Sequence, residues 1–236
     1  MRRFPKAILF DFGDTVLSHS GWDDLAGNRA LLQHATENPD HVDEYAVRKR
    51  ARELDQFFIP LLNSTGLEIP TSLFQSTLYD GLGVRFALSP AEREMVFYRA
   101  TADFQPVPGI ADLLEFLRGR GVRMGIVSNF PFQPACIEHD LKRHGLLDHF
   151  AFVATSSYYG IRKPNPMLFD IACKRIGVAK GSVWFAGDSY EFDMVGASRA
   201  GLYPVWYNPA GQKRPGDLEV LEIREWRQLV GILEAS

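Results

Sequence analysis

The stretch Ala7-Ile8-Leu9-Phe10-Asp11-Phe12-Gly13-Asp14-Thr15-Val16-Leu17 decides the fold of this chain. Four apolar residues run into an acid, a glycine, a second acid and a threonine. A short apolar run bounded by turn residues reads as a strand buried on both faces of a parallel sheet. In open α/β sheets, ligands bind outside the carboxyl ends of such strands. Asp11 is expected to stand there.

Downstream of Pro106 the chain repeats the pattern. Strands are expected over 122–129, 150–154, 182–186 and 204–207. Helices are expected over 110–117, 134–144, 166–177, 191–200 and 224–233, several of them ended by a glycine. Strands alternating with helices predict a parallel α/β sheet with right-handed crossovers. Between the first two strands lies a long segment of helical character. One helix over 41–58 places Val42, Ala46, Arg50, Glu53 and Phe57 on one face. Pro60 and the Asn63-Ser64-Thr65-Gly66 cluster are expected to end it. A shorter helix is expected over 72–79. A last one begins at Pro90, with Ser89 as cap and Glu92 completing a capping box. The segment is too long for a loop. The expected organisation is an α/β core from 1–17 and 106–236, with a helical cap from 18–105 able to close over the strand ends.

The 236 residues are 46% hydrophobic and 23% charged, with a formal net charge of −3. That balance suits a globular chain and gives no reason to expect nucleic-acid binding. Cys136 and Cys173 lack metal-type neighbours and read as buried free thiols. The basic start, Met1-Arg2-Arg3-Phe4-Pro5-Lys6, leads into a run too short for a signal-peptide core. No apolar run reaches transmembrane length. The expectation is a soluble, cytoplasmic protein with no membrane partner.

Four strand ends offer reactive groups in chain order: Asp11, then Ser128 and Asn129, then Lys163 after the third strand, then Asp188 with Asp193 five residues on. Asp11 and Asp188 can share a hard divalent cation with oxygen ligands, as magnesium prefers. Lys163, Ser128 and Asn129 can hold the oxygens of a transferring phosphoryl group while a carboxylate attacks phosphorus.

These four stretches resemble the four motifs of the haloacid dehalogenase superfamily, and the insert resembles its helical cap in the first insertion position. The most specific part is Lys163-Pro164-Asn165-Pro166 followed by Gly187-Asp188-Ser189 and Asp193. The resemblance implies a five-stranded, Rossmann-like sheet in the order five-four-one-two-three. It implies Asp11 as nucleophile, with Mg2+ held by Asp11, the Gly13 carbonyl and Asp188. Asp193 would stand behind these ligands or replace one. Thr15, Ser128, Asn129 and Lys163 would bind phosphate or order the nucleophile of a hydrolase for small phosphorylated substrates. One departure stands out. Phosphatases of the family usually carry a second aspartate, the general acid, where this chain has Gly13. Asp14 comes one place late, and alternation along an extended backbone would aim it elsewhere. Two alternatives follow: a metal-free 2-haloacid dehalogenase, and a protein that binds a phosphorylated ligand or partner with little turnover.

Overall fold

In the computed structural model, residues 4–235 are described; Met1, Arg2 and Arg3 of the basic start, and Ser236, lie outside the described residues. The central strand β1, Ala7–Phe10, is fully buried. It pairs in parallel with β2, Arg123–Ser128, on one side and β4, Val183–Gly187, on the other. β3, Val153–Thr155, continues beyond β2, and β5, Tyr203–Tyr207, beyond β4. The expected order of these five strands is the observed one. A sixth parallel strand, β6, Leu221–Ile223, extends the β5 edge, so the expected five-stranded sheet is corrected to six, in the order 6-5-4-1-2-3. Three residues after the exposed stretch 209–217 are too few to show a period-two pattern.

Alternation along β1 splits the core into two layers. Ile8 and Phe10 pack with Leu113, Leu117, Ile137 and Trp226 of the helices Ile110–Gly119, Pro134–Arg143 and Trp226–Glu234. Ala7 and Leu9 pack with Leu168, Phe169 and Ala172 of the helix Pro166–Ile176.

The insert contains helices α1, Asp24–Leu32; α2, Glu44–Thr65; α3, Thr71–Asp80; and α4, Pro90–Thr101. They close around their own cluster of Leu31, Val47, Leu78, Tyr79 and Val84. The capping box of α4 forms as read from Ser89 and Glu92. Two expectations for α2 fail. The helix passes through Pro60 and ends at Gly66, which takes a left-handed φ of 67°. Pro60 and Gln56 are both exposed, so water can satisfy the carbonyl that proline leaves without a donor. The buried face is Val47, Ala51 and Leu54, one position round from the expected stripe. Arg50 and Glu53 of that stripe form a 2.8 Å ion pair near solvent, and Phe57 is exposed.

The entry and exit of the insert are not separate loops. Leu17–His19 and Phe104–Pro106 pair as an antiparallel ribbon. Further bonds dock the insert on the core. Tyr98 donates its hydroxyl to Asp140. The Glu94 carboxylate accepts the Gln133 N–H at the start of the helix Pro134–Arg143.

Burial pushes Glu94 up to about 7, with the Gln133 N–H pulling the other way. The folded state therefore holds this proton more tightly than the unfolded chain, whose value is near 4.5. Its stabilising contribution is full below that unfolded value and is lost as pH rises through about 7. The loss is up to about 3 kcal/mol. Glu94→Gln keeps the accepting oxygen and removes the titration. The variant should melt higher than the parent at pH about 8 and show a shallower fall in Tm from pH about 5 upward. Identical slopes in the two proteins would contradict this.

Candidate active site

The carboxyl ends of β1, β2 and β4 meet, as adjacent strands in register must. Asp11 follows β1 and is nearly buried; its backbone N–H donates to Ala186 O on β4 at 2.9 Å. Lys163 reaches the same place from the loop after β3. Its Nζ donates to Asp11 Oδ1 at 2.7 Å, to Asp193 Oδ1 at 2.6 Å and to the Val127 carbonyl at 3.0 Å. All three ammonium protons are thus used. The ammonium also lies 5.3 Å from the Phe185 ring centroid. Burial lowers the Lys163 pKa, but the Asp11 and Asp193 carboxylates outweigh it and raise the net value, so the group is charged.

Asn129 acts on this lysine through the backbone. Its Nδ2 donates to Lys163 O at 3.0 Å, and its Oδ1 accepts Lys163 N–H at 2.7 Å. The Lys163–Pro164 peptide is cis. The side chain expected to meet phosphate is therefore engaged in positioning Lys163. Ser128, at the end of β2, is buried beside it.

Asp193 comes from a π-helical turn, Tyr190–Val195, rather than from the α-helix expected there; α-helix resumes only at Gly196–Arg199. Such turns are frequent at functional sites. Its second oxygen accepts the Ser189 N–H at 3.0 Å. Both oxygens thus have protein donors, which suits a group that holds Lys163 in place. Gly187 makes this possible, since a Cβ there would lie 2.3 Å from Asp193 Oδ2. Nothing in the sequence except the glycine itself signals that approach. Thr15, fully buried, donates its hydroxyl to Asp188 Oδ1 at 3.3 Å. The Trp206 indole donates to the Asp188 carbonyl at 2.8 Å, a partner that sequence reading missed because Trp206 looks like an ordinary strand residue.

One carboxylate oxygen each from Asp11, Asp188 and Asp193 lies within 4.8 Å of the others. Three carboxylates face one ammonium. Burial, and then the Asp11 charge, push Asp188 up to about 6. Burial pushes Asp193 up to about 7 against the pull of Lys163. This is an oxygen-rich, anion-heavy site, and a hard divalent cation fits its donor set.

Gly13 lies past Asp11 in a tight bend, bridged to Leu17. The backbone does not stay extended as expected: Asp14 has φ 52° and is exposed. Its N–H donates to Leu17 O at 2.8 Å. A Cβ on Gly13 would meet no atom within 4 Å. Phe12 is fully buried among Phe104 and Phe130, while Trp22 is 41% exposed.

A buried lysine bridging two aspartates at the strand ends of a parallel α/β sheet, under a helical insert, defines a hydrolase of the haloacid dehalogenase type. The family model for haloacid dehalogenase-like hydrolases matches residues 5–201, and the chain belongs to that family. It is 33% identical to the pyrimidine 5'-nucleotidase YjjG of Escherichia coli, over 88% of each chain. It is 27% identical to the phosphoserine phosphatase of Thermus thermophilus, over 93% of this chain and 97% of that one. Its fold matches that of a 2-haloacid dehalogenase from Pseudomonas syringae with a TM-score of 0.67 at 23% identity, over 98% of this chain and 99% of the other. No helix among the described residues is long and apolar enough to cross a membrane.

Gly187→Ala tests the architecture of the site. The added methyl must displace the Asp193 carboxylate and loosen Lys163. The variant should lose at least about tenfold in turnover, roughly 1.4 kcal/mol of barrier, and should melt below the parent. Unchanged turnover of para-nitrophenyl phosphate would refute the role given to Asp193.

Proposed function

We propose that this hydrolase is a magnesium-dependent phosphatase for small phosphorylated metabolites, working through an aspartyl-phosphate on Asp11. The observation that carries the reading is the junction of Lys163 with Asp11 and Asp193, beside Asp188, at three strand ends. Phosphatase and nucleotidase relatives support it. In a dehalogenase, an incoming carboxylate substrate would meet Asp188 beside Asp11, which is unfavourable without a cation.

Asp11 supplies the attacking oxygen. Lys163 aims that carboxylate through its hydrogen bond, and its charge favours the negative charge of the phosphoryl group. Ser128, at the end of β2, offers a hydroxyl donor, while Thr15 donates to Asp188 and steadies it. The magnesium ion, held by Asp11, Asp188 and the Gly13 carbonyl, would supply charge neutralisation for the phosphoryl oxygens. As Asp11 bonds to phosphorus, the bond from phosphorus to the ester oxygen breaks, and the leaving oxygen takes a proton from solvent. Water then attacks the aspartyl-phosphate, releasing phosphate and restoring the carboxylate.

Asp11→Asn should lower turnover at least about a hundredfold, with a folded protein by melting. A chelator should stop the parent, and added magnesium should restore it. Full activity in chelator, with chloride released from a 2-chloroacid, would overturn the reading in favour of a dehalogenase. Stabilisation by a phosphorylated ligand without any turnover would point to a binding protein.

Gly13 generates a second prediction. General acid–base help is worth about a hundredfold to ten-thousandfold, most of it when the leaving group is basic. The parent should prefer acyl and aryl phosphates and show a burst as aspartyl-phosphate accumulates. The open space at Gly13 admits a side chain, so Gly13→Asp should speed alkyl phosphates more than aryl ones and shrink the burst. A flat dependence of the parent's rate on leaving-group pKa, with no burst, would show that the missing acid is supplied elsewhere.

A further inference from the structure

Between the insert and the core lies a cleft of about 510 Å³. Its walls are mostly aromatic and aliphatic. Trp22, ahead of α1, and Phe97 of α4 come from the insert. Phe132 comes from the core loop after β2. Their rings form one group: Trp22 to Phe132 is 5.6 Å, Trp22 to Phe97 is 6.4 Å, and Phe97 and Phe132 are near parallel at 17°. One polar side chain stands out. Gln75 of α3 lines the cleft and is 3% exposed, yet neither its Oε1 nor its Nε2 has a hydrogen-bond partner. A buried amide without partners is costly, since its desolvation is not offset by a hydrogen bond. Native folds keep few such groups, and each calls for an explanation.

The cleft shares two loops with the active site. Phe132 is four residues past Ser128, which at no more than about 3.6 Å per residue keeps it within about 14 Å of that strand end. Arg162 of the cleft directly precedes Lys163. Of the acids lining the cleft, Asp24 and Glu68 are paired with Arg48 and Arg162, and Asp55 of α2 adds a third carboxylate. These carboxylates disfavour an anion, so the phosphate belongs at the strand ends beside Asp11, and the cleft suits the uncharged part of the same molecule.

We infer that Gln75 is a specificity-determining residue that reads the edge of a planar heterocycle carried by the phosphate ester, as in a nucleoside monophosphate. The inference rests on the phosphatase reading for where the phosphate sits. A carboxamide presents a donor and an acceptor side by side in one plane. Its complement is a flat edge with an adjacent acceptor and donor, such as the ring N–H and carbonyl of a pyrimidine. Flat rings also stack on aromatic side chains. Linear alkyl and amino-acid phosphates present neither a flat face nor such an edge. A site built to hydrogen-bond its substrate also discriminates strongly against analogues that lack the groups.

The test compares uridine 5'-monophosphate with ribose 5-phosphate, which keeps the ester and pentose but lacks the ring. The parent should show kcat/KM at least about tenfold higher for the nucleotide. Gln75→Leu, close in size but without the amide, should cut that ratio about tenfold or more. Gln75→Glu, which replaces the amide donor with a second acceptor and adds a charge, should also lower it and serves if the leucine variant does not fold. Equal kcat/KM for the two esters in the parent, or an unchanged ratio in the variants, would overturn the inference while leaving the phosphatase reading intact. If the parent hydrolyses neither ester nor para-nitrophenyl phosphate, the phosphatase reading fails, and binding of uridine itself decides. A rise in Tm with uridine but not ribose, lost in Gln75→Glu, upholds the subsite; no rise overturns it.

Discussion

The ammonium of Lys163 is the group on which the rest of the site depends. Taking such a charge out of water costs several kcal/mol, which only close and well-directed partners offset. Here the partners come from three strand ends: Asp11 after β1, the Val127 carbonyl on β2, and Asp193 after β4. Asn129 fixes the lysine backbone, and the bare Cα of Gly187 leaves room for Asp193. Removing any one partner leaves a buried charge uncompensated. The same contacts therefore hold the sheet end together and fix the position of the Asp11 carboxylate.

The lysine loop is also where the insert meets the core. Leu67 bridges to Ile161, Glu68 N–H donates to Gly160 O at 3.0 Å, and Arg162 N–H donates to Gly66 O at 3.1 Å. The Arg162 guanidinium donates to Glu68 at 2.8 Å, and Ser156 donates to the same carboxylate. The end of α2 is thus tied to the residues just before Lys163. The ribbon of Leu17–His19 with Phe104–Pro106 ties the other end of the insert close to Asp11. The insert is thus tied to both the nucleophile loop and the lysine loop.

Gly13 separates this chain from the usual phosphatase pattern in its chemistry rather than in its architecture. The bend it occupies is kept by bonds from backbone groups, Val16 N–H and Leu17 N–H to Phe12 O at 2.9 and 3.1 Å. None of these needs a side chain at position 13.

While the order of five strands came with the family resemblance, the sequence by itself determined the parallel α/β core and the four strand ends that carry Asp11, Ser128, Lys163 and Asp188. Those features are local: apolar runs, turn residues after them, and caps such as Ser89 with Glu92 leave a signature within a few neighbours. Tertiary structure decided what is not local. The face of α2 that is buried, its passage through Pro60 and the short β6 depend on what packs or pairs beside them. So does the use of Asn129 on a backbone 34 residues away. So does the placing of Gln75, which in sequence is one polar residue on a helix and in the fold is a partnerless amide in an aromatic cleft. The physical reason is that hydrophobic periodicity records which residues avoid water, whereas a hydrogen bond or a shared charge between distant segments leaves no periodic trace in either of them.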